Sequence, residues 1–284
     1  MAKIAVVTDS TSDLTAQELT DLGVTMVPLK VLFGDESYLD WVELMPEEFY
    51  KRLVASPILP KTSQPSPADF QDAYDKLADE GYEGIVSIHL SAALSGTHES
   101  AMLASKKSRI PVRVVDSKEV TRALGMVVTE TARVAATGAD LDAVEKVALD
   151  VAASMRVFFV VESLEYLVKG GRAGKAQGLA ASLLNIKPVL MVNDDGIIEP
   201  FKKVKGKKKA IAEMAAHVAE EAKASGRLRL SLLHAANDED AAEFRRELDA
   251  IGADVEYERE GAIGAVIGTY TGPGVVGAAY YRAQ

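Results

Sequence analysis

Near the start of the chain, Ile4-Ala5-Val6-Val7-Thr8-Asp9-Ser10-Thr11-Ser12 is an apolar run that leads into a loop of small hydroxyl side chains. The run is too short for the apolar core of a signal peptide, so we predict a first β-strand here. The same pattern of apolar run and polar loop returns at Ile85–His89 and at Val112–Val115, with helix-forming stretches between the runs. Alternating strands and helices are typical of a parallel or mostly parallel sheet with helices on both faces. The first half of the chain is therefore predicted to be an α/β domain.

Local signals in this half mark where helices begin and end. Thr15 followed by Glu18 fits a capping box, and the stretch from Ser66 to Asp69 is a second helix start. Val24–Phe33 is predicted to be a strand that Pro28 interrupts, because proline cannot donate to a sheet ladder. Further helices are expected from Pro46 onward and over about 119–137 and 140–154.

The second half has a different pattern, with hairpins in place of the strand–helix alternation. Predicted features in order are a strand at Arg156–Val161, a helical stretch over 163–185, a strand at Lys187–Val192, a hairpin turn at Asp195-Gly196, a helix over about 238–250, and β-rich runs with turns at Glu260-Gly261 and Gly272-Pro273-Gly274. We therefore predict two domains, an α/β domain over 1–155 and an α+β domain over 156–284.

Composition excludes several classes of function. The formal net charge is −10, which argues against nucleic acid as the main partner because phosphates are neutralised by an excess of Lys and Arg. The chain has no cysteine, which excludes disulfides and thiolate metal sites and fits a reducing cytoplasm. No apolar stretch approaches the length of a transmembrane helix. We expect a cytoplasmic protein without a transmembrane segment.

Three loops rich in hydroxyls indicate a site for an anion. They are Thr8–Ser12, Thr62–Pro67 and Ser91–Thr97. Hydroxyls and free backbone N–H groups at strand ends and helix starts can hold a carboxylate or phosphate without a formal positive charge. Such residues also serve simply as helix caps, an alternative that fits Ser12, Thr15 and Ser66. Thr62 and Ser95 fit it less well, since Thr62 precedes the helix start by four residues and Gly96 allows close backbone approach at Ser95.

Other motifs give no catalytic site. The Gly272–Gly277 stretch has the letters of a dinucleotide fingerprint, and Gly170–Lys175 those of a phosphate loop, but both lack the required context and are interpreted as tight turns. The four histidines are far apart and indicate neither a metal site nor a catalytic base. Six of the eight residues from Lys202 to Lys209 are lysines. This stretch is either a solvated surface or an electrostatic docking patch for an acidic partner.

Taken in order, a series of segments resembles the DegV family of bacterial fatty-acid-binding proteins, of the fatty-acid kinase B type. The matching segments are Thr8-Asp9-Ser10-Thr11-Ser12-Asp13-Leu14, Thr62-Ser63-Gln64-Pro65, His89-Leu90-Ser91 with Leu94-Ser95-Gly96-Thr97, Asp116-Ser117, Glu162-Ser163-Leu164-Glu165-Tyr166-Leu167 with Lys169-Gly170-Gly171-Arg172, Lys187-Pro188-Val189-Leu190, and Thr271-Gly272-Pro273-Gly274. They span nearly the whole chain.

The resemblance implies a non-catalytic, cofactor-free lipid carrier. A long-chain fatty acid would lie buried between the two domains, and a separate ATP-dependent kinase would phosphorylate its carboxylate. The family's carboxylate-binding hydroxyls fall on Thr62 and Ser95. Arg172 and Tyr270 are secondary candidates for the head group. Tyr270 stands where the family usually has histidine.

For the kinase contact, the resemblance together with the lysine-rich stretch points to Lys205, Lys207 and Lys208. Lys205 stands where the family usually has arginine, so it keeps the charge and loses the bidentate fork. The alternative function is a small-molecule phosphotransferase related to dihydroxyacetone-kinase folds. That class needs a histidine nucleophile or a nucleotide loop, and the sequence shows neither.

Overall fold

The structure, a computed structural model, describes residues 2–182 and 186–282. The strands are β1 (Ile4–Asp9), β2 (Val24–Val27), β3 (Lys30–Phe33), β4 (Glu36–Leu39), β5 (Lys61–Ser63), β6 (Gly84–His89), β7 (Val112–Asp116), β8 (Arg156–Val160), β9 (Ile186–Val192), β10 (Ile198–Lys205), β11 (Leu228–His234), β12 (Val255–Ala262) and β13 (Val276–Arg282). The helices are α1 (Ala16–Leu22), α2 (Pro46–Ala55), α3 (Pro67–Asp79), α4 (Thr97–Ser105), α5 (Thr121–Ala136), α6 (Leu141–Ser154), α7 (Glu165–Lys169), α8 (Lys207–Ser225), α9 (Asp238–Ile251) and α10 (Ala265–Thr271), with 3-10 helices at Ser10–Ser12 and Gly174–Ser182.

The chain divides into two compact units. The N-terminal unit comprises Met1–Met45 and Pro60–Ala153, and the C-terminal unit comprises Pro46–Leu59 and Ser154–Gln284. Helix α2 thus groups with the second half of the chain, although it lies in the first half of the sequence. The domain ranges 1–155 and 156–284 stay a prediction, and α2 is the one described element of the first range that groups with the second unit.

The N-terminal unit is built on a parallel sheet flanked by helices, as predicted. Its strand order is β2-β1-β6-β7, and every pair in it is parallel. β1 and β6 are buried along their whole length, which explains why both are continuous apolar runs. Helices α3 and α4 pack against the sheet through an apolar cluster that includes Phe70, Tyr74 and Ala101.

The predicted helix starts in this unit are confirmed. Thr15 and Ser66 each form a capping box with the acidic residue three positions on. The predicted strand Val24–Phe33 is instead two strands in two different sheets. β2 joins the parallel sheet, whereas β3 lies at the centre of a small antiparallel sheet of order β4-β3-β5. Pro28 falls in the break between them.

The C-terminal unit is a mixed six-stranded sheet covered by helices, in agreement with the predicted α+β pattern. Its strand order is β10-β9-β8-β13-β11-β12, and only the β11–β12 pair of this sheet is parallel. β9 and β10 form the predicted antiparallel hairpin. Helices α8 and α9 supply much of the core, with Met214, Val218 and Phe244 fully buried.

Two predictions in this unit were wrong. The stretch Ala265–Thr271 was expected to be β-rich and is helix α10, and Glu260-Gly261 lies inside β12 instead of a turn. Packing explains the helix, because its Gly268 lies so close to α2 that a Cβ there would be 2.6 Å from the Phe49 ring. Burial of one helix face on α2 outweighs the strand preference of β-branched residues. The predicted helical stretch 163–185 is α7 and a 3-10 helix, and its positions 183–185 lie outside the described residues.

Candidate functional site

The two hydroxyls favoured by the sequence lie on neighbouring loops of the N-terminal unit. Thr62 is the central residue of β5, opposite Val31 of β3, and is half-buried. Ser95 lies in the loop between β6 and α4, also half-buried. Its Oγ is 2.9 Å from the Thr97 hydroxyl and accepts the Thr97 N–H at 3.3 Å. Ser95 therefore sits at the start of α4, where a hydroxyl and backbone N–H groups come together.

Gln64 holds these two loops against each other. Its Nε2 donates to the carbonyl of Gly96 and to the Ser100 hydroxyl, each at 3.2 Å. The approach is so close that a Cβ at Gly96 would lie 2.4 Å from Gln64 Oε1. Since Gln64 is two residues from Thr62 and Gly96 adjoins Ser95, this contact brings the loops of both predicted residues together. The glycine is needed for the close approach that the sequence suggested.

The first hydroxyl loop differs from the other two because its side chains are closed to solvent. All five side chains from Thr8 to Ser12 are fully buried. The Ser10 hydroxyl accepts the Leu29 N–H at 3.1 Å, and the Thr11 hydroxyl donates to Asp9 at 2.6 Å. Asp9, and not Ser12, caps the short 3-10 helix. These bonds tie the loop into the N-terminal unit, and its role as an anion site stays a prediction.

Asp9 begins a buried chain of hydrogen bonds that the sequence analysis missed. Its Oδ2 is 3.0 Å from His89 Nδ1, and His89 Nε2 is 2.7 Å from the Ser87 hydroxyl. The Tyr74 phenol donates to the same Ser87 oxygen at 2.8 Å. Asp9, His89 and Ser87 thus have the order of a Ser-His-Asp catalytic triad. The partners are about 80 positions apart in sequence, so no local spacing could have shown the arrangement.

This arrangement is sealed inside the protein. Asp9, His89, Ser87 and Tyr74 have no exposed surface. Burial raises the pKa of the Tyr74 phenol well above its ordinary value, so the phenol stays protonated and donates to Ser87. The edge of the His89 ring faces Phe70, with the centroids 4.9 Å apart. These hydrogen bonds therefore fix the carboxyl ends of β1 and β6 to each other. A substrate could not reach the Ser87 hydroxyl.

A second carboxylate, Asp13, accepts hydrogen bonds from Trp41 and Thr121, and all three residues have a left-handed backbone conformation. Asp13, Trp41 and Thr121 have φ angles of 53°, 60° and 51°. The Trp41 indole donates to Asp13 Oδ1 at 2.9 Å, and the Thr121 hydroxyl donates to Oδ2 at 2.5 Å. Such angles cost about 1–3 kcal/mol at a non-glycine residue and persist only where the surroundings hold them. The cluster thus fixes the loop after β4 and the start of α5 to the residue that ends the first 3-10 helix.

The C-terminal unit brings together the secondary candidates, Arg172 and Tyr270. The Arg172 guanidinium carbon lies 4.7 Å from the centre of the Tyr270 ring, in cation–π geometry. Arg172 also donates to the carbonyl of Gly170 at 2.9 Å. The ring lies so near Gly170 that a Cβ there would be 2.4 Å from Tyr270 Cδ1. These contacts give a phenol and a guanidinium at one place, both able to donate to an oxyanion.

The structure separates the three lysines named for partner docking. Lys205 ends β10 and is exposed, and Lys208 lies in the first turn of α8 with 85% of its side chain exposed. Lys207 is different, with only 17% of its side chain exposed. Its ammonium lies 2.5 Å from Asp240 and 3.4 Å from Glu162. Burial raises the pKa of the Asp240 carboxyl, but hydrogen bonds from Lys207 and Asn237 outweigh burial and hold that pKa below its ordinary value.

An open groove of about 440 Å³ lies at the amino end of β1, lined by residues such as Lys3, Leu22 and Ala132, and it contains none of the predicted site residues. Across residues 2–182 and 186–282, no three His, Asp or Glu side chains meet as metal ligands would. Each helix in those ranges is too short or too polar to cross a bilayer.

Comparison with known proteins assigns the family. Residues 3–283 match the family model described as an uncharacterised protein of the DegV family. A DegV domain-containing protein of Halalkalibacterium halodurans is 38% identical over 287 residues, which cover 99% of each chain. The solved structure of a fatty-acid-binding DegV family protein from Thermus thermophilus superposes with a TM-score of 0.93 at 37% identity, over 99% of this chain and 100% of the other.

A stearic-acid-binding protein from Eubacterium ventriosum is similar over the same length. Its structure gives a TM-score of 0.87 at 30% identity, over 99% of this chain and 98% of the other. A match of sequence and fold over nearly every residue, together with the ordered motifs from Thr8 to Gly274, leaves one conclusion. The chain belongs to the DegV family.

Proposed function

We propose that this protein is a cytoplasmic carrier that binds a long-chain, palmitate-like fatty acid in a buried tunnel and presents its carboxylate to a separate kinase. In this proposal Thr62 and Ser95 hold the carboxylate, and Arg172 and Tyr270 are the second candidates for the head group. The observation that carries the proposal is the full-length similarity to DegV proteins that bind fatty acids, at a TM-score of 0.93 for the Thermus thermophilus protein.

The fatty-acid tail and head group contribute differently to binding. Burying about fifteen methylenes at ~0.8 kcal/mol each contributes on the order of 12 kcal/mol before the cost of ordering the chain. The tail alone is therefore sufficient for tight binding. A carboxylate left without partners would lose several kcal/mol of hydration. Hydroxyl donors such as Thr62 and Ser95 offset that loss and fix the direction of the carboxylate.

A carrier without chemistry of its own also agrees with the buried hydrogen-bond chain. The Ser87 hydroxyl points into a closed network with His89 and Tyr74, and none of the three has exposed surface. A serine nucleophile has to reach its substrate, and this one is enclosed. The arrangement supports a structural role for these residues.

Denaturing extraction of the purified recombinant protein, followed by mass spectrometry, tests the proposed function. We expect close to one equivalent of a long-chain fatty acid, because a ligand whose tail is buried dissociates slowly. An unrelated protein purified from the same cells by the same steps is the control for adventitious lipid. After removal of the lipid, palmitate should bind far more tightly than octanoate, by about 0.8 kcal/mol for each added methylene. A nucleotide, a sugar phosphate or no ligand would contradict the proposal.

The lysine-rich surface is proposed to dock the kinase. Helix α8 begins with Lys207, Lys208 and Lys209 and has no acidic residue in its first turn. Cations at a helix N-terminus oppose the helix macrodipole, so this composition is unfavourable for the helix itself. Binding to an acidic surface on the kinase would explain why exposed lysines are placed at this unfavourable position.

Charge reversal at Lys205 and Lys208 should slow acyl-phosphate formation and leave fatty-acid binding unchanged. The wild-type rate should also fall with added salt, because exposed charges are screened within about 10 Å at 0.1 M. The variant Lys205→Glu/Lys208→Glu is compared in a coupled kinase assay with Lys223→Glu, an exposed lysine at the far end of the same helix. Equal rates for the two variants would mean that Lys205 and Lys208 are ordinary solvated surface residues with no part in docking the kinase.

A further inference from the structure

Lys207 makes contacts that set it apart from the other lysines of its cluster. Its ammonium donates to the carbonyl of Gly274 at 2.5 Å, in addition to its ion pairs with Asp240 and Glu162. Its neighbour Lys208 has a single ion pair in the described structure, at 3.7 Å from Glu243. A half-buried cation with three oxygen partners is a fixed part of the protein, whereas an exposed one is free to meet a partner.

The partners of Lys207 belong to different segments of the C-terminal unit. Glu162 follows β8 and also pairs with Lys187, which further donates to the Glu162 carbonyl at 2.5 Å. Asp240 lies in the first turn of α9 and accepts from Asn237 at 2.5 Å. Asn237 in turn donates to the Gly274 carbonyl at 3.2 Å. The carbonyl of Gly274 is thus held from two sides, by an ammonium and by an amide.

The segment held in this way is the turn that follows α10. Gly274 has a φ of +82°, and its N–H donates to the Ala235 carbonyl at 2.8 Å. Gly272 ends α10 and lies so close to Tyr166 that a Cβ there would be 2.4 Å from the ring. Tyr270 is in the last turn of that helix, two residues before Gly272. The placement of the turn therefore sets the end of α10 and the position of the Tyr270 ring beside Arg172.

We propose that Lys207 is a positioning residue for the head-group site, acting on Tyr270 through the Gly272–Gly274 turn. This inference rests on the proposed function, in which Tyr270 and Arg172 are the second candidates to contact the fatty-acid carboxylate. It removes Lys207 from the docking surface and gives it a role inside the C-terminal unit.

The variant Lys207→Gln, compared with Lys208→Gln, tests the anchor. Hydrogen exchange followed by mass spectrometry should show faster exchange in peptides covering 268–277 for Lys207→Gln only, because the turn loses the ammonium that holds it. Lys207→Arg keeps the charge and should restore most of the protection. Fatty-acid affinity should fall about tenfold in Lys207→Gln and remain unchanged in Lys208→Gln. Wild-type exchange in peptides 268–277 of Lys207→Gln would overturn the proposal.

A double-mutant cycle with Tyr270→Phe tests whether Lys207 acts through Tyr270. If it does, Lys207→Gln should weaken fatty-acid binding much less in the Tyr270→Phe background than in the wild type. Independent effects that simply multiply would overturn the link to Tyr270, even with faster exchange in the turn. A wild-type protein that binds no fatty acid would instead refute the proposed function, and the exchange data would still decide whether Lys207 anchors the turn.

Discussion

Replacing Asp9 with alanine should lower the free energy of unfolding of the N-terminal unit by about 3–5 kcal/mol. The carboxylate accepts from the Thr11 N–H and hydroxyl, from the Leu90 N–H and from His89 Nδ1, all inside the protein. Alanine would leave these donors buried without an acceptor, and each such group costs about 1–3 kcal/mol. Losses at neighbouring groups overlap, so the sum is smaller than the separate costs.

Urea denaturation followed by the fluorescence of Trp41 measures the unfolding of the N-terminal unit. Trp41 is the single tryptophan of the chain and lies in the N-terminal unit. Asp72→Ala is the matched control, because Asp72 is exposed on α3 and its replacement should change stability by less than about 0.5 kcal/mol. A loss below about 1 kcal/mol in Asp9→Ala would contradict the structural role assigned to the buried chain.

Thr62→Ala and Ser95→Ala should each reduce phosphorylation of the bound fatty acid far more than they reduce its binding. A hydrogen bond to a charged group contributes roughly 1.5–3 kcal/mol, so affinity should fall about 10- to 150-fold. Phosphoryl transfer requires the acceptor to be aligned with the donor, and a misplacement of about 1 Å can lower the rate about a further 100-fold. Binding is measured by displacement of a fluorescent fatty acid, and phosphorylation by a coupled assay with the cognate kinase.

Ser63→Ala is the control for these variants, since Ser63 is exposed and adjoins Thr62 on β5. The unfolding free energy of Ser95→Ala is measured alongside, because the Ser95 hydroxyl also accepts the Thr97 N–H at the start of α4. Equal losses in binding and phosphorylation would mean that the hydroxyls contribute affinity alone. No loss in either variant would place the carboxylate elsewhere, with Arg172 and Tyr270 as the next candidates.

The sequence predicted best those features that neighbouring residues determine. The capping boxes at Thr15 and Ser66 need partners only three positions away, and both are present. Helix α10 was missed because its conformation depends on contact with α2, and β-branched residues alone favour a strand. The Asp9–His89 pair joins residues 80 positions apart, so only the sheet reveals it.

The candidate site shows the same division. Gly96 next to Ser95 suggested a close approach, and the Gln64 contact supplies it. The lysine-rich stretch gave no means to tell Lys207 from Lys208, because burial and partners depend on α9 and on the turn before β13. Charge can be counted from a sequence, whereas the half-buried position of one lysine follows from tertiary packing.

Helix α2 has a consequence for the order in which the chain folds during translation. The Tyr50 phenol of α2 donates to the carbonyl of Ile263, which is 213 positions further along the chain. At about 5–20 residues per second, a ribosome needs roughly 10–40 s to synthesise that intervening stretch. Throughout this interval Phe49 and Tyr50 lack the contacts that α10 and Ile263 give them. Until α10 leaves the ribosome, the nascent chain thus carries a helix whose apolar face is uncovered, the kind of surface that chaperones bind.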